Sequence, residues 1–163
     1  MINLGTLKEN IQTILQAANT TTASVDISSG LETRVQRVMK VNPARVPIQA
    51  SFYPYVTVYI DRKEPKNTTI SKNQATGKRK AEIDVKIIGA VWNSTVNDEE
   101  LDPADDDAEK LMESVEEVLR SNSDLSGFCE WSYPTMITYH NVQIEEDTHL
   151  RAGIMNLKVI KFY

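Results

Sequence analysis

An apolar stripe through Ala104, Ala108, Leu111, Met112, Val115, Val118 and Leu119 constrains this chain more than any other feature. The positions recur at three- and four-residue intervals, so a helix gathers all of them on one face. Asp102 is a natural N-cap and Pro103 suits the first helical position. Arg120 lies at the far end, and Ser121-Asn122-Ser123-Asp124 stops the helix. A face this broad has to be covered by a second layer of structure.

Strands supply that layer. In Tyr55–Asp61, Val56, Val58 and Ile60 alternate with Tyr55, Thr57, Tyr59 and Asp61, and Pro54 opens the segment where a missing donor does least harm. In Ala81–Trp92, Ala81, Ile83, Val85 and Ile87 share one face, with Glu82, Asp84 and Lys86 on the other. Two more extended segments follow Gly127. One runs from Trp131 to Ile144, and the other from Ile154 to Tyr163 with Leu157 and Val159 opposite Lys158. The polar run Glu145–His149 joins them.

A second amphipathic helix opens the chain, with Leu4, Leu7, Ile11, Ile14, Leu15 and Ala18 on one face. Asn3 can cap it, or Thr6 can, with Glu9 completing a capping box. The arm Val25–Gln49 fits either a helix after Ser29 or a short strand leading into Asn42-Pro43, and the reading adopted is extended or irregular. A length of 163 residues suits one domain with a substantial core. The expected fold is α+β: an antiparallel sheet packed against two helices. Residues 1–50 form the helix and arm, residues 51–163 the sheet-and-helix core, and a long exposed loop, Arg62–Lys80, links the two central strands. Long loops inside compact domains are usually functional.

Catalytic and metal signatures are missing from the sequence. It contains no G-x-x-x-x-G-K-[ST], G-x-G-x-x-G or H-E-x-x-H. His140 and His149 stand nine apart without the paired spacing of structural zinc, and Cys129 is the lone cysteine. A Cys129–His140 nucleophile pair is formally open, but an inert thiol beside aromatics is the expectation. No catalytic residue, cofactor or metal ligand is therefore assigned, and the chain is expected not to be an enzyme. The N-terminal residues lack a signal-peptide pattern and no apolar run is long enough to cross a bilayer, so a cytoplasmic protein is expected. The sequons at Asn19, Asn67 and Asn93 are read as chance matches in polar loops.

Charge is distributed unevenly. The Arg62–Lys80 segment holds Arg62, Lys63, Lys66, Lys72, Lys78, Arg79 and Lys80 against Glu64 alone. Asp98, Glu99, Glu100, Asp102, Asp105, Asp106, Asp107 and Glu109 follow one another without a cation between them. Carboxylates at a helix start complement its dipole, and the calcium-loop pattern is missing. The overall net charge of −5 argues against nucleic acid as the main partner. Opposite charges on separate surfaces can instead pair copies head-to-tail, in contacts that close into rings.

These features together resemble the tail terminator, or tail completion, proteins of long-tailed bacteriophages. The resemblance rests on the N-terminal helix, the strand Pro54–Tyr59, the long polar loop, the strand Ala81–Ile87 and the acidic helix start Asp102–Glu109. Leu125-Ser126-Gly127 and the closing strand Arg151–Val159 complete it, and it spans Pro54–Tyr163, about two-thirds of the chain. It implies a homo-oligomeric ring, commonly a hexamer, that caps the tail tube, stops its polymerisation and docks the head-side connector. Its partners would be further copies, the tail tube protein and the connector, with DNA only passing through the lumen and no membrane. Its place would be the head-proximal end of the virion tail, and the host cytoplasm during assembly. Lys63, Lys66, Lys72, Lys78, Arg79 and Lys80 would face a neighbour, the tube or the lumen, and Asp98, Glu99, Glu100 and Asp105–Asp107 the opposing surface. Another neck or tail tube component, or a small nucleic-acid-binding protein using the basic loop, are the alternatives.

Overall fold

In a computed structural model, residues 2–46, 48–67, 79–93, 103–145 and 148–163 are described. Helix α1 covers Leu4–Ala17, strand β1 Arg37–Met39, β2 Tyr55–Asn67, β3 Arg79–Asn93, helix α2 Pro103–Ser121, β4 Trp131–Glu145 and β5 Thr148–Phe162. The strands form one sheet in the order β1-β2-β3-β5-β4. Three of its pairings are antiparallel, and β1 adds to β2 in parallel. The fold is α+β as expected, but the sheet is mixed, because the arm contributes an edge strand.

Both helices lie on the same face. Leu7, Ile11 and Leu15 of α1 are buried together with Val56 and Val58 of β2. Ala108, Leu111, Met112, Val115 and Leu119 of α2 join Ile83, Val85, Ile87, Met155, Leu157 and Val159 in the same cluster. α1 therefore covers the β1–β2 side of the sheet and α2 the β3–β5–β4 side. Burial at about 25 cal/mol per Å² of apolar surface is the main stabilising term, and the two stripes deliver most of it. Asn3 is the N-cap of α1: its Oδ1 accepts from the amides of Gly5 at 2.9 Å and Thr6 at 3.3 Å. The Thr6–Glu9 capping box is not used.

Several boundaries differ from the sequence reading. The segment read as a loop, Arg62–Lys80, is strand at both ends: Arg62–Asn67 continues β2, and Arg79 and Lys80 begin β3. A backbone ladder needs no apolar side chains, so a polar sequence can prolong a hairpin beyond its core. A register shift between Ile60 and Arg62 marks where the ribbon leaves the core. Residues 68–78 lie outside the described part. At the other end of β2, Tyr55 and Thr57, which the alternation sets opposite the apolar face, are buried as well. The arm crosses there: the Val41 amide donates to Thr57 Oγ1 at 3.2 Å, and Thr57 Oγ1 donates to the Val41 carbonyl at 2.5 Å. Strand β5 begins at Thr148 rather than Ile154, so β4 and β5 form a long hairpin with register Glu145↔Thr148. The sequon asparagines were placed in loops, yet Asn67 and Asn93 end β2 and β3.

Candidate assembly surfaces

The outer sheet face, turned away from the helices, carries an ionic network. Alternation puts Ala81, Ile83, Val85 and Ile87 inward, so Glu82, Asp84 and Lys86 point outward. Glu82 is its hub, with Lys66 Nζ at 2.8 Å from β2, Lys80 Nζ at 2.9 Å and Lys158 Nζ at 3.6 Å from β5. Hydrogen bonds from Lys66 and then Lys80 hold the Glu82 carboxyl down at about 2. Lys158 also reaches Asp84 at 3.9 Å, Lys86 reaches Asp61 at 3.5 Å, and Arg62 pairs with Glu64. Lys63 and Arg79 make no ion pair among the described residues. Much of the ribbon's positive charge is thus matched inside the chain.

Only part of the acidic group falls among the described residues. Asp98, Glu99 and Glu100 lie outside the described residues, as do Lys72, Lys78 and the side chain of Asp105. Asp106 pairs with Lys110 one turn on, and burial pushes the Asp107 carboxyl up from its ordinary range. Among the described residues, the ribbon cations and Asp106 and Asp107 stand at opposite ends of β3, Asp107 beside Val91 and Trp92. β3 begins at Arg79 in the ribbon and ends at Asn93, after which the chain leads to the start of α2. Fifteen residues at ~3.3 Å each put about 45 Å between these ends. Among the described residues, the unpaired cations Lys63 and Arg79 thus lie towards one end of β3, and the carboxylates Asp106 and Asp107 towards the other.

The residues weighed for chemistry are far apart. Cys129 precedes β4 and is buried, its thiol pushed up to about 11 by burial and then by Asp124 and Glu130. His140 is exposed well along β4, about 30 Å away at strand rise. A nucleophile pair between them is ruled out by this spacing. A hollow of about 370 Å³ lies between the ends of the two helices beside Ile14, Ala17, Val25 and Val118, without an ionisable side chain.

Two polar residues escaped the sequence reading. Glu82 looked like one polar position among several, because its partners on β2 and β5 are set by register. Asn19 looked like part of a helix-ending polar run. In the structure its Nδ2 donates to the Val35 carbonyl at 2.9 Å, and its Oδ1 accepts from Ser28 Oγ at 2.5 Å and Arg34 Nη2 at 3.3 Å. Arg34 also closes on Asp26 at 2.8 Å and draws that carboxyl below its ordinary value. The cluster ties the arm to the end of α1. No protein-family model matches this chain, and no curated protein matches it either.

Proposed function

We propose that this chain is a structural virion-assembly protein of the tail-terminator kind, which caps a phage tail tube as a homo-oligomeric ring. In that role it stops tube polymerisation and presents the docking face for the head-side connector. The observation that carries the reading is polarity along the strands. Among the described residues, Lys63 and Arg79 at the ribbon end and Asp106 and Asp107 at the α2 start would give a ring of such subunits two chemically different faces, one for the tube and one for the connector. The order of elements agrees with the resemblance drawn from the sequence: helix, arm, two strands around a polar excursion, acidic helix and closing hairpin. The work asked of the chain is binding, so no residue is assigned to catalysis.

A nucleic-acid-binding role is the weaker reading. Glu82 takes up Lys66 and Lys80, which withdraws two of the described ribbon cations from phosphates. The test is tube assembly in the presence of this protein. A terminator shortens and caps tubes at substoichiometric ratio and sits at one end in electron micrographs. Incorporation along the whole tube would make it a tube subunit. Steeply salt-dependent DNA binding with no effect on tube length would favour the nucleic-acid reading.

A further inference from the structure

Among the described residues neither lateral edge of the sheet is paired along its length, although the Ser123 carbonyl accepts from the Ser132 amide at the start of β4. β4 is the last strand over its whole length, and on the other side β1 covers only Tyr55–Thr57 of β2. Open edges invite pairing with another chain. Pro134 and the register shift between Pro134 and Met136 interrupt β4, so side chains must lead any contact there.

Among the described residues, each edge carries side chains without an ion-pair partner, acidic at one edge and basic at the other. On α2, Glu109, Glu113 and Glu116 recur at helical spacing and form a stripe beside β4. Burial first, then Glu109 and Glu113 and after them Glu116, hold the Tyr139 phenol of β4 above its ordinary value against the opposing pull of Arg151, which lies 5.5 Å over the same ring, and this locates the stripe. Glu116 is occupied by Arg120, whereas Glu109 and Glu113 are exposed and form no ion pair among the described residues. A groove of about 240 Å³ separates Glu116 and Arg120 from Pro134–Ile137, and Met136 is 55% exposed.

At the opposite edge Lys8 of α1 and Lys40 and Arg45 of the arm line a groove of about 300 Å³ with Tyr59 and Val46. Val46 is 46% exposed. Lys8 and Arg45 have no ion-pair partner among the described residues, and the Lys40–Glu9 pair at 3.3 Å lies in solvent. Among the described residues each edge thus offers a stretch of unpaired strand, a groove, a protruding apolar side chain and charged side chains outside any ion pair.

We propose that the α2–β4 edge of one copy seats on the α1–β1 edge of the next, with Glu109 and Glu113 facing Lys8, Lys40 and Arg45. This rests on the ring reading above and assigns its subunit contact. Two like edges would set equal charges against each other, so the pairing is head-to-tail and repeats around a ring. The ribbon and the α2 start remain free for the ring's two faces.

The test uses two full-length variants, Glu109→Lys/Glu113→Lys and Lys8→Glu/Arg45→Glu, with folding checked by thermal melting. In sedimentation at low salt, each variant alone associates at least about tenfold more weakly than wild type. An equimolar mixture restores wild-type particles, because every junction is then between opposite charges. A second measurement uses Val46→Cys and Met136→Cys in a Cys129→Ser background with a bismaleimide. The combined variant gives a ladder of cross-linked species, and neither single variant gives a dimer. Folded charge variants that assemble like wild type, a mixture that does not recover, or dimers from a single cysteine overturn the edge assignment and leave the ring reading standing. Wild-type protein that stays monomeric alone and with tube protein overturns both.

Discussion

Met112 on α2 packs onto Gly89 of β3 so closely that a Cβ at position 89 would lie 2.7 Å from its Sδ. Gly153 of β5, the cross-strand partner of Gly89, lies beneath the same side chain. The glycine pair forms the seat on which the middle of α2 rests. Gly153→Ala should therefore destabilise the fold by ~1–3 kcal/mol through overpacking. Urea unfolding measures this, and Met112→Ala in the same chain should recover less than it loses alone. A neutral Gly153→Ala would show that the helix is free to lift.

Glu82 should make stability depend on pH. Its folded value of about 2 lies below the ordinary 4.5, so its contribution is complete above about pH 5 and is lost as the pH falls towards 2. Glu82→Gln should lower the urea midpoint at pH 7 and have a shrinking effect towards pH 2. High salt should narrow the gap at pH 7, since the network faces solvent. An equal deficit at both pH values would remove Glu82 as the hub.

The Asn19 latch predicts a local effect. Asn19→Ala leaves the Val35 carbonyl and the Ser28 hydroxyl short of a partner, at a cost of about 1–3 kcal/mol. Hydrogen exchange should quicken first in the amides of Ile27 and Val35, while those of β3 and β5 change only with global stability. Uniform acceleration would show that the arm and the sheet open together.

Three successive residues after α2 adopt left-handed backbone: Leu125 at φ 49°, Ser126 at 60° and Gly127 at 76°. Leu125 is held there by its fully buried side chain and by Asn10 Nδ2, which donates to its carbonyl at 2.9 Å. Ser126 is exposed, so Ser126→Gly relieves the strain without losing packing and should stabilise by about 1 kcal/mol. Gly127→Ala should cost a similar amount, and thermal melting separates the two signs.

Cys129 should behave as a buried apolar residue. With its thiol pushed up to about 11, alkylation at pH 8 should be far slower than in urea-unfolded protein. Cys129→Ser should fold and assemble. Rapid labelling of the native protein would mean that the turn before β4 opens readily.

Local rules were enough for the helices and for the direction of most side chains. The α2 stripe and the alternation in β3 are written in residue spacing, because a helix repeats at 3.6 residues and a strand at two. The Asn3 cap was legible for the same reason, since it acts within three residues of itself. The segregation of charge was equally plain.

Decisions between distant segments were left to the tertiary structure. Arg62–Asn67 is strand because β3 lies alongside to complete its ladder, and no apolar period announces such pairing. Thr57 is buried because an arm with no period of its own crosses it. Glu82 gathers Lys66, Lys80 and Lys158 only after register has set three strands side by side, and Gly89 meets Gly153 by the same register. Spacing along a chain reports which face a side chain takes, whereas the partner it meets there depends on contacts made across the whole fold.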